Sequence, residues 1–198
     1  MIAGIVLAAG RSHRMGAPKA FLEMDGASFL ARAAAALREG GCDAVWVVTG
    51  PADDEVAARI ASKAREMGAH VAVNPAPDSE QVDSLRAGLR AIPDDADAAV
   101  VLPVDVPRVD ADAVRRVVEA FRERGAPVLR AVHGGRHGHP VLFARALFAE
   151  LLDGDLPDGA RTVVHAHAAE LEEVEVADPG VLHDVDTPED FRRLAGTA

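Results

Sequence analysis

Cys42 is the only cysteine in this 198-residue sequence. It has no partner for an internal disulfide and cannot build a cysteine zinc site. That usage suits a reducing compartment, so a cytoplasmic protein is expected. Tyrosine is missing, tryptophan occurs once, and aromatics make up 4% of the chain, so any core must rest on Ala, Val and Leu. No apolar run approaches the roughly 20 residues of a membrane span. The apolar start, MIAGIVLAA, lacks the preceding basic residues of a secretory leader and reads better as a buried strand. Positive charge is short as well. The 21 Lys and Arg stand against 32 Asp and Glu, for a formal net charge of −11. That balance argues against nonspecific binding to nucleic acid or to an anionic membrane.

What is present looks like an ordinary globular chain, with 49% hydrophobic and 27% charged residues. Residues 1–198 have no internal repeat, low-complexity tract or long linker, and a single domain is expected. The few cations are unevenly placed. Between Met1 and Leu22 there is no Asp or Glu, while Arg11, Arg14 and Lys19 lie close together. A cationic island in an acidic chain is what an anionic ligand would require.

Strand-length apolar runs alternate with segments of helical period. Ile2–Ala8, Ala44–Thr49, His70–Val73, Ala98–Val104 and Leu171–Val176 read as strands. Ser28 to Glu39, Asp53–Met67, Ser79–Ala91, Asp110–Arg124, Gly159–Ala169 and Thr187–Leu194 read as helices, several with a capping residue in front and glycine behind. Pro127–Val132 and Pro140–Phe143 read as strands around a Gly/His-rich connection. Repeated β-α-β order implies an α/β fold: a three-layer, Rossmann-like α/β/α arrangement on a mostly parallel sheet. Ligands of such sheets bind beyond the carboxyl ends of the strands. Chemistry is therefore expected after the first strand, after Ala98–Val104 and after the last strand.

The first of these places holds Leu7-Ala8-Ala9-Gly10-Arg11-Ser12-His13-Arg14-Met15-Gly16-Ala17-Pro18-Lys19. Small residues let a ligand approach the backbone, and Gly10 and Gly16 permit left-handed turns. Such a loop can aim consecutive N–H groups at an anion while Arg11, Arg14 and Lys19 neutralise it. The spacing is not a P-loop, because Lys19 does not directly follow a glycine and no Ser or Thr comes after it. Nor is it the G-x-G-x-x-G dinucleotide fingerprint. On composition alone, phosphate binding and a plain surface turn stay equally open.

LAAGRSHRMGAPK resembles the signature loop of nucleotidyltransferases built on the glycosyltransferase-A-type fold, and most of all the molybdenum-cofactor enzymes of the MobA/MocA type. Gln81-Val82-Asp83-Ser84-Leu85-Arg86-Ala87-Gly88-Leu89 resembles their GQxxSLxxGL helix, with Glu80 where a glycine is usual. Pro103-Val104-Asp105-Val106-Pro107 resembles their metal loop. Gly138-His139-Pro140-Val141-Leu142-Phe143 and Asp184-Val185-Asp186-Thr187-Pro188-Glu189-Asp190 resemble two further segments. These motifs, in order, span essentially the whole chain. The resemblance implies transfer of a nucleotidyl group to a phosphorylated acceptor, molybdopterin being the first candidate, with a molybdoenzyme as a possible recipient of the product. The Ala-Ala-Gly loop and GHPVLF resemble the cytidylyltransferase branch, hence CTP. Other readings are GTP as donor, another phosphorylated small molecule or sugar phosphate as acceptor, or a nucleotide-binding accessory protein without catalysis.

Nucleotidyl transfer needs an in-line acceptor oxygen and neutralised phosphates. Asp105 and Asp186 are the candidate Mg²⁺ ligands, since this ion takes one or two carboxylates together with phosphate oxygens and water. Alternatively, Asp186 belongs to a helix-start cluster in which Thr187, Pro188 and Asp190 supply cap, N1 proline and capping-box acid. Lys19 and Arg14 are the candidate groups on the α-phosphate and the pyrophosphate, with Asp105 completing the catalytic set. For the nucleotide, the resemblance implies Leu7, Ala8, Ala9, Gly10, Arg11 and Ser84, although Ser84 fits equally well as a polar residue of a helix's first turns. Arg136 and His139 are expected near an anionic acceptor, and a zinc site in HGGRHGH is disfavoured by its glycines. His165 and His167 are expected at or near the surface.

Overall fold

The computed structural model describes residues 1–10, 15–76, 80–153 and 155–195. The candidates Arg11 and Arg14 lie outside these residues, as does Ser79, the expected start of one helix. In chain order the elements are β1 (Ile2–Leu7), β2 (Glu23–Met24), β3 (Ala27–Ser28), α1 (Phe29–Glu39), β4 (Ala44–Thr49), α2 (Glu55–Glu66), β5 (His70–Val73) and α3 (Gln81–Ala91). There follow β6 (Ala98–Pro103), α4 (Ala111–Arg124), β7 (Val128–His133), β8 (Arg136–Ala144), α5 (Phe148–Asp153), α6 (Ala160–Ala166), β9 (Leu171–Glu175) and α7 (Pro188–Ala195). Short 3-10 turns occupy Lys19–Phe21, Arg145–Leu147 and Pro179–Leu182.

Seven strands form one sheet in the order β5-β4-β1-β6-β8-β7-β9. Pairing is parallel from β5 through β6 and again between β7 and β9; β8 runs antiparallel to both of its neighbours. This is the expected mixed, mostly parallel α/β/α architecture. Strand alternation divides the apolar residues between two cores. Ile2, Val6, Val47, Val100, Leu102 and Leu129 face the layer holding α1 and α4, and Ile5, Trp46, Val48, Val101 and Phe143 face the side of α3 and α6. Helix starts follow the sequence closely: the side chains of Ser28, Asp54 and Asp110 accept from the N–H groups of Ala31, Ala57 and Ala113.

Two expectations are corrected. The Gly/His-rich stretch is not an open connection. Gly134 and Gly135, at φ 56° and 74°, make a two-residue hairpin turn, and residues from Arg136 onward already belong to β8. Turn-like composition hid a strand whose register is imposed by its partners: His133 pairs with Arg136 and Val132 with His137. Among the described residues of the first loop, Gly16, at φ 68°, uses the left-handed region and Gly10 does not.

Candidate active site

The carboxyl ends of β1 and β6 point to one end of the sheet, and because β8 is antiparallel its first residues arrive at that same end. Three segments carry the charged groups there. Lys19 opens the 3-10 turn behind Pro18, which is held by N–H donation from Phe21 to the Pro18 carbonyl and from Leu22 to that of Lys19. Asp105 follows β6, where the Val104 N–H still bonds the Leu7 carbonyl at 3.0 Å. Asp186 arrives from the far end of the chain. The Val185 N–H donates to the Asp105 carbonyl at 2.8 Å, tying the two acidic segments directly together.

The start of α7 aims Asp186. Asp190 accepts from the Thr187 N–H (2.9 Å), the Thr187 hydroxyl (2.8 Å) and the Asp186 N–H (3.2 Å), while the Asp190 N–H returns a bond to the Thr187 hydroxyl. This reciprocal cap was legible in the sequence. The Thr187 hydroxyl, then its backbone N–H, hold the Asp190 carboxyl below the ordinary aspartate range against the opposing effect of burial. The cap therefore explains Asp190 and Thr187, and it leaves the carboxylate of Asp186 directed elsewhere.

That carboxylate meets Lys19. The Lys19 ammonium lies 2.7 Å from Asp186 Oδ1 and 3.0 Å from Asp105 Oδ2, with side-chain exposures of 11% for Lys19, 28% for Asp105 and 36% for Asp186. Burial works against the charged lysine, but hydrogen bonds and charge from Asp186 and Asp105 outweigh it and raise its pKa. Two carboxylates thus converge on one cation. Among the described residues, no group of three or more His, Cys, Asp and Glu gathers into a metal cluster. A donor set of two carboxylates fits a hard ion that takes its remaining ligands from phosphate and water, and not a closed protein cage.

Beside this cluster lies a cleft of about 760 Å³. Leu7, Leu85, Val101, Val141 and Phe143 supply apolar walls, and Arg130, His137, His139, Arg161, His165 and Asp184 supply polar ones. His139 is in the cleft wall, its Nδ1 buried with no hydrogen-bond partner. Burial pushes its pKa down, opposed in part by Asp105 and Asp184. Arg136 instead sits exposed at the hairpin end of β8, on the opposite strand face from His137 and His139. Arg130, whose guanidinium bonds both Glu173 and His137, and Arg161 of α6 are cleft residues that no motif marked.

Ser84 is 6% exposed, and its hydroxyl accepts from the Asn74 side chain at 3.1 Å. Asn74, 3% exposed, also donates its N–H to the Thr49 carbonyl, and its side-chain oxygen accepts from the Ala76 N–H. Ser84 is thereby tied to the segment that leaves β5. Only an isolated Asn after a strand hinted at this anchor in the sequence. Ala8 is buried, Ala9 partly so and Gly10 exposed, and a Cβ added to Gly10 would meet nothing within 4 Å.

Residues 4–172 match the family described as MobA-like NTP transferase domain. The chain belongs to that family. A relative from Mycobacterium avium (strain 104), named Probable molybdenum cofactor guanylyltransferase, is 31% identical, with 98% of this chain and 95% of that protein covered. Nicotine blue oxidoreductase of Paenarthrobacter nicotinovorans is 29% identical, with 98% and 96% covered. Among solved structures, Rv0371c of Mycobacterium tuberculosis H37Rv is similar with a TM-score of 0.82 at 30% identity, covering 100% and 99% of the two chains. Its complex with manganese gives a TM-score of 0.78 at 27% identity, with the same coverage. The fold and family expected from the sequence are thus established. No helix among the described residues is long and apolar enough to cross a membrane.

Proposed function

We propose that this MobA-like chain is a divalent-metal-dependent nucleotidyltransferase acting on a phosphorylated small-molecule acceptor of the molybdopterin type. The observation that carries the reading is the convergence of Lys19, Asp105 and Asp186 beside a large cleft, beyond the carboxyl ends of β1 and β6. The family supports nucleotidyl transfer, and the manganese complex of a structural relative supports use of a divalent ion.

In this reading Leu7, Ala8, Ala9 and Gly10 lie against the nucleotide, and Arg11 and Arg14 join Lys19 on its phosphates. Ser84, through Asn74, shapes the segment beside the base. Asp105 and Asp186 would hold Mg²⁺, which would supply positive charge to neutralise the triphosphate. The acceptor phosphate, seated in the cleft near His139, places an oxygen in line with the α-phosphorus. A bond forms from that oxygen to the α-phosphorus, the bond to the β-phosphate oxygen breaks, and pyrophosphate leaves. A phosphate nucleophile is already deprotonated at neutral pH, so no general base is required, and positioning carries the catalysis.

The resemblance of the Ala8-Ala9-Gly10 loop and of GHPVLF to the cytidylyltransferase branch favours CTP as donor. A second reading, GTP, is favoured by the full-length relatives named guanylyltransferases. The test is pyrophosphate release with Mg²⁺ and molybdopterin, comparing CTP, GTP, ATP and UTP. Release with CTP or with GTP establishes the reaction and its base together. No release with any nucleotide, given active acceptor, overturns the transferase reading for this acceptor.

A further inference from the structure

The Lys19 ammonium stands where the two acidic segments meet, within hydrogen-bond distance of both carboxylates. A role on the phosphates alone would leave it no reason to be there. A half-exposed lysine is ordinarily solvated and mobile, whereas this one is 11% exposed and joins segments 86 and 167 residues distant in sequence. Without a cation between them, Asp105 and Asp186 would face each other as like charges in a partly desolvated place, which is unfavourable. The ammonium removes that repulsion and holds both side chains in place.

We propose that Lys19 acts as a stand-in cation in the nucleotide-free protein, keeping the metal position closed until a triphosphate draws the lysine away. The proposal rests on the metal reading given above for Asp105 and Asp186. An ion bound by the same two oxygens competes with the ammonium for one small space, and two cations there repel. A triphosphate resolves the conflict because it offers Lys19 another anionic partner and offers the ion further oxygens. Metal and nucleotide therefore bind with positive coupling, and by linkage each raises the other's affinity by the same factor. The function of such coupling is to keep the paired carboxylates from loading a metal that has no phosphate to act on.

The test is Mn²⁺ binding to the nucleotide-free protein, read by the electron paramagnetic resonance signal of free Mn²⁺. The expected result is that Lys19→Met and Lys19→Gln each bind Mn²⁺ at least ten times more tightly than the native chain. Lys19→Arg, which keeps the charge, shows no such gain. A second readout is thermal unfolding: without metal the Lys19→Met chain melts below the native chain, and Mn²⁺ raises its midpoint more than the native midpoint. If both neutral variants, folded by circular dichroism, bind Mn²⁺ no more tightly than the native chain, the stand-in role is overturned. Adding Asp105→Asn or Asp186→Asn separates the two claims. If these changes weaken Mn²⁺ binding while Lys19→Met leaves it unchanged, the metal assignment stands and the lysine role falls. If they weaken it in no background, the metal assignment itself falls, and the lysine role with it.

Discussion

Gly138 connects the fold to the site, and its replacement tests how tightly the two are joined. It lies in β8, one residue before His139, with the 3-10 turn Pro179–Leu182 packed across it. A Cβ at this position would stand 2.4 Å from the Val181 carbonyl oxygen, 2.9 Å from its carbonyl carbon and 3.1 Å from Val181 Cγ2. The obstacle is backbone and cannot rotate aside, so the turn must retreat by about 0.6 Å to restore a 3.0 Å approach. Overpacking of this kind costs about 1–3 kcal/mol. In a chain of this size that is a fall of roughly 2–12 °C in Tm. The displaced turn feeds directly into Asp184, Val185 and Asp186, so Gly138→Ala should also move Asp186 away from Lys19. Misplacement by 1 Å costs about 100-fold in well-positioned chemistry, so a loss of order 10-fold in kcat is expected here. Thermal unfolding and pyrophosphate release measure the two effects. A Gly138→Ala chain with a native Tm and native turnover would refute the claim that this contact places the acidic segment.

Gly10 makes the opposite case. With open space around it and no left-handed φ, Gly10→Ala should change stability by less than about 0.5 kcal/mol, yet weaken triphosphate binding at least ten-fold by blocking close approach to the loop; titration calorimetry with CTP and GTP checks this. Asp105→Asn and Asp186→Asn should each lower kcat by about 100-fold or more while nucleotide still binds, and retained turnover would remove the metal role. Asn74→Ala leaves the buried Ser84 hydroxyl and the Ala76 N–H without their partner and should cost about 1–3 kcal/mol in urea unfolding, with a raised KM for the nucleotide. Burial, aided by Asp43, pushes the Cys42 thiol up to about 12. The unfolded thiol ionises near 8.5, so the stability from holding this proton is complete below that pH and is lost as pH rises from about 8.5 towards 12. At pH 9 the native thiol should react with a thiol reagent far more slowly than it does in urea, and equal rates would contradict its burial.

Much of the fold was legible because its strands are nearly continuous apolar runs and its helices carry caps and glycine stops, both local signals. Asp105 stood out for a similar reason, as a lone carboxylate between two prolines at a strand end. The stretch from His133 to His139 was misread because strand formation there depends on pairing with β7 and on the Gly134–Gly135 turn, not on its own residues' propensity. Ser84 read equally as a nucleotide ligand and as a polar residue of a helix's first turns, because Asn74 reaches it from another element. Arg161 and His165 share a face of α6 by spacing, but only the tertiary arrangement shows that this face borders the cleft. Lys19 is the most instructive case. Its neighbours in sequence are cations and glycines and point to phosphate, whereas in space its ammonium bonds both carboxylates.

Family membership does not by itself fix the chemistry, because a fold hosts whatever its site can perform. Relatives of almost equal similarity bear the names of a guanylyltransferase and an oxidoreductase. The discriminating feature must therefore be something that one chemistry needs and the other does not. A cleft of this size with both apolar and polar walls would serve either, since planar heterocycles fit both kinds of substrate. Hydride or electron transfer makes no use of a lysine shared by two carboxylates beside the cleft, whereas transfer between phosphates requires movable cations and a metal-binding pair at one place. Triphosphate binding that depends on metal through Asp105, Asp186 and Lys19 would thus decide between the two chemistries before any product is identified. A chain that binds no triphosphate, with or without metal, would not perform nucleotidyl transfer, whatever its fold.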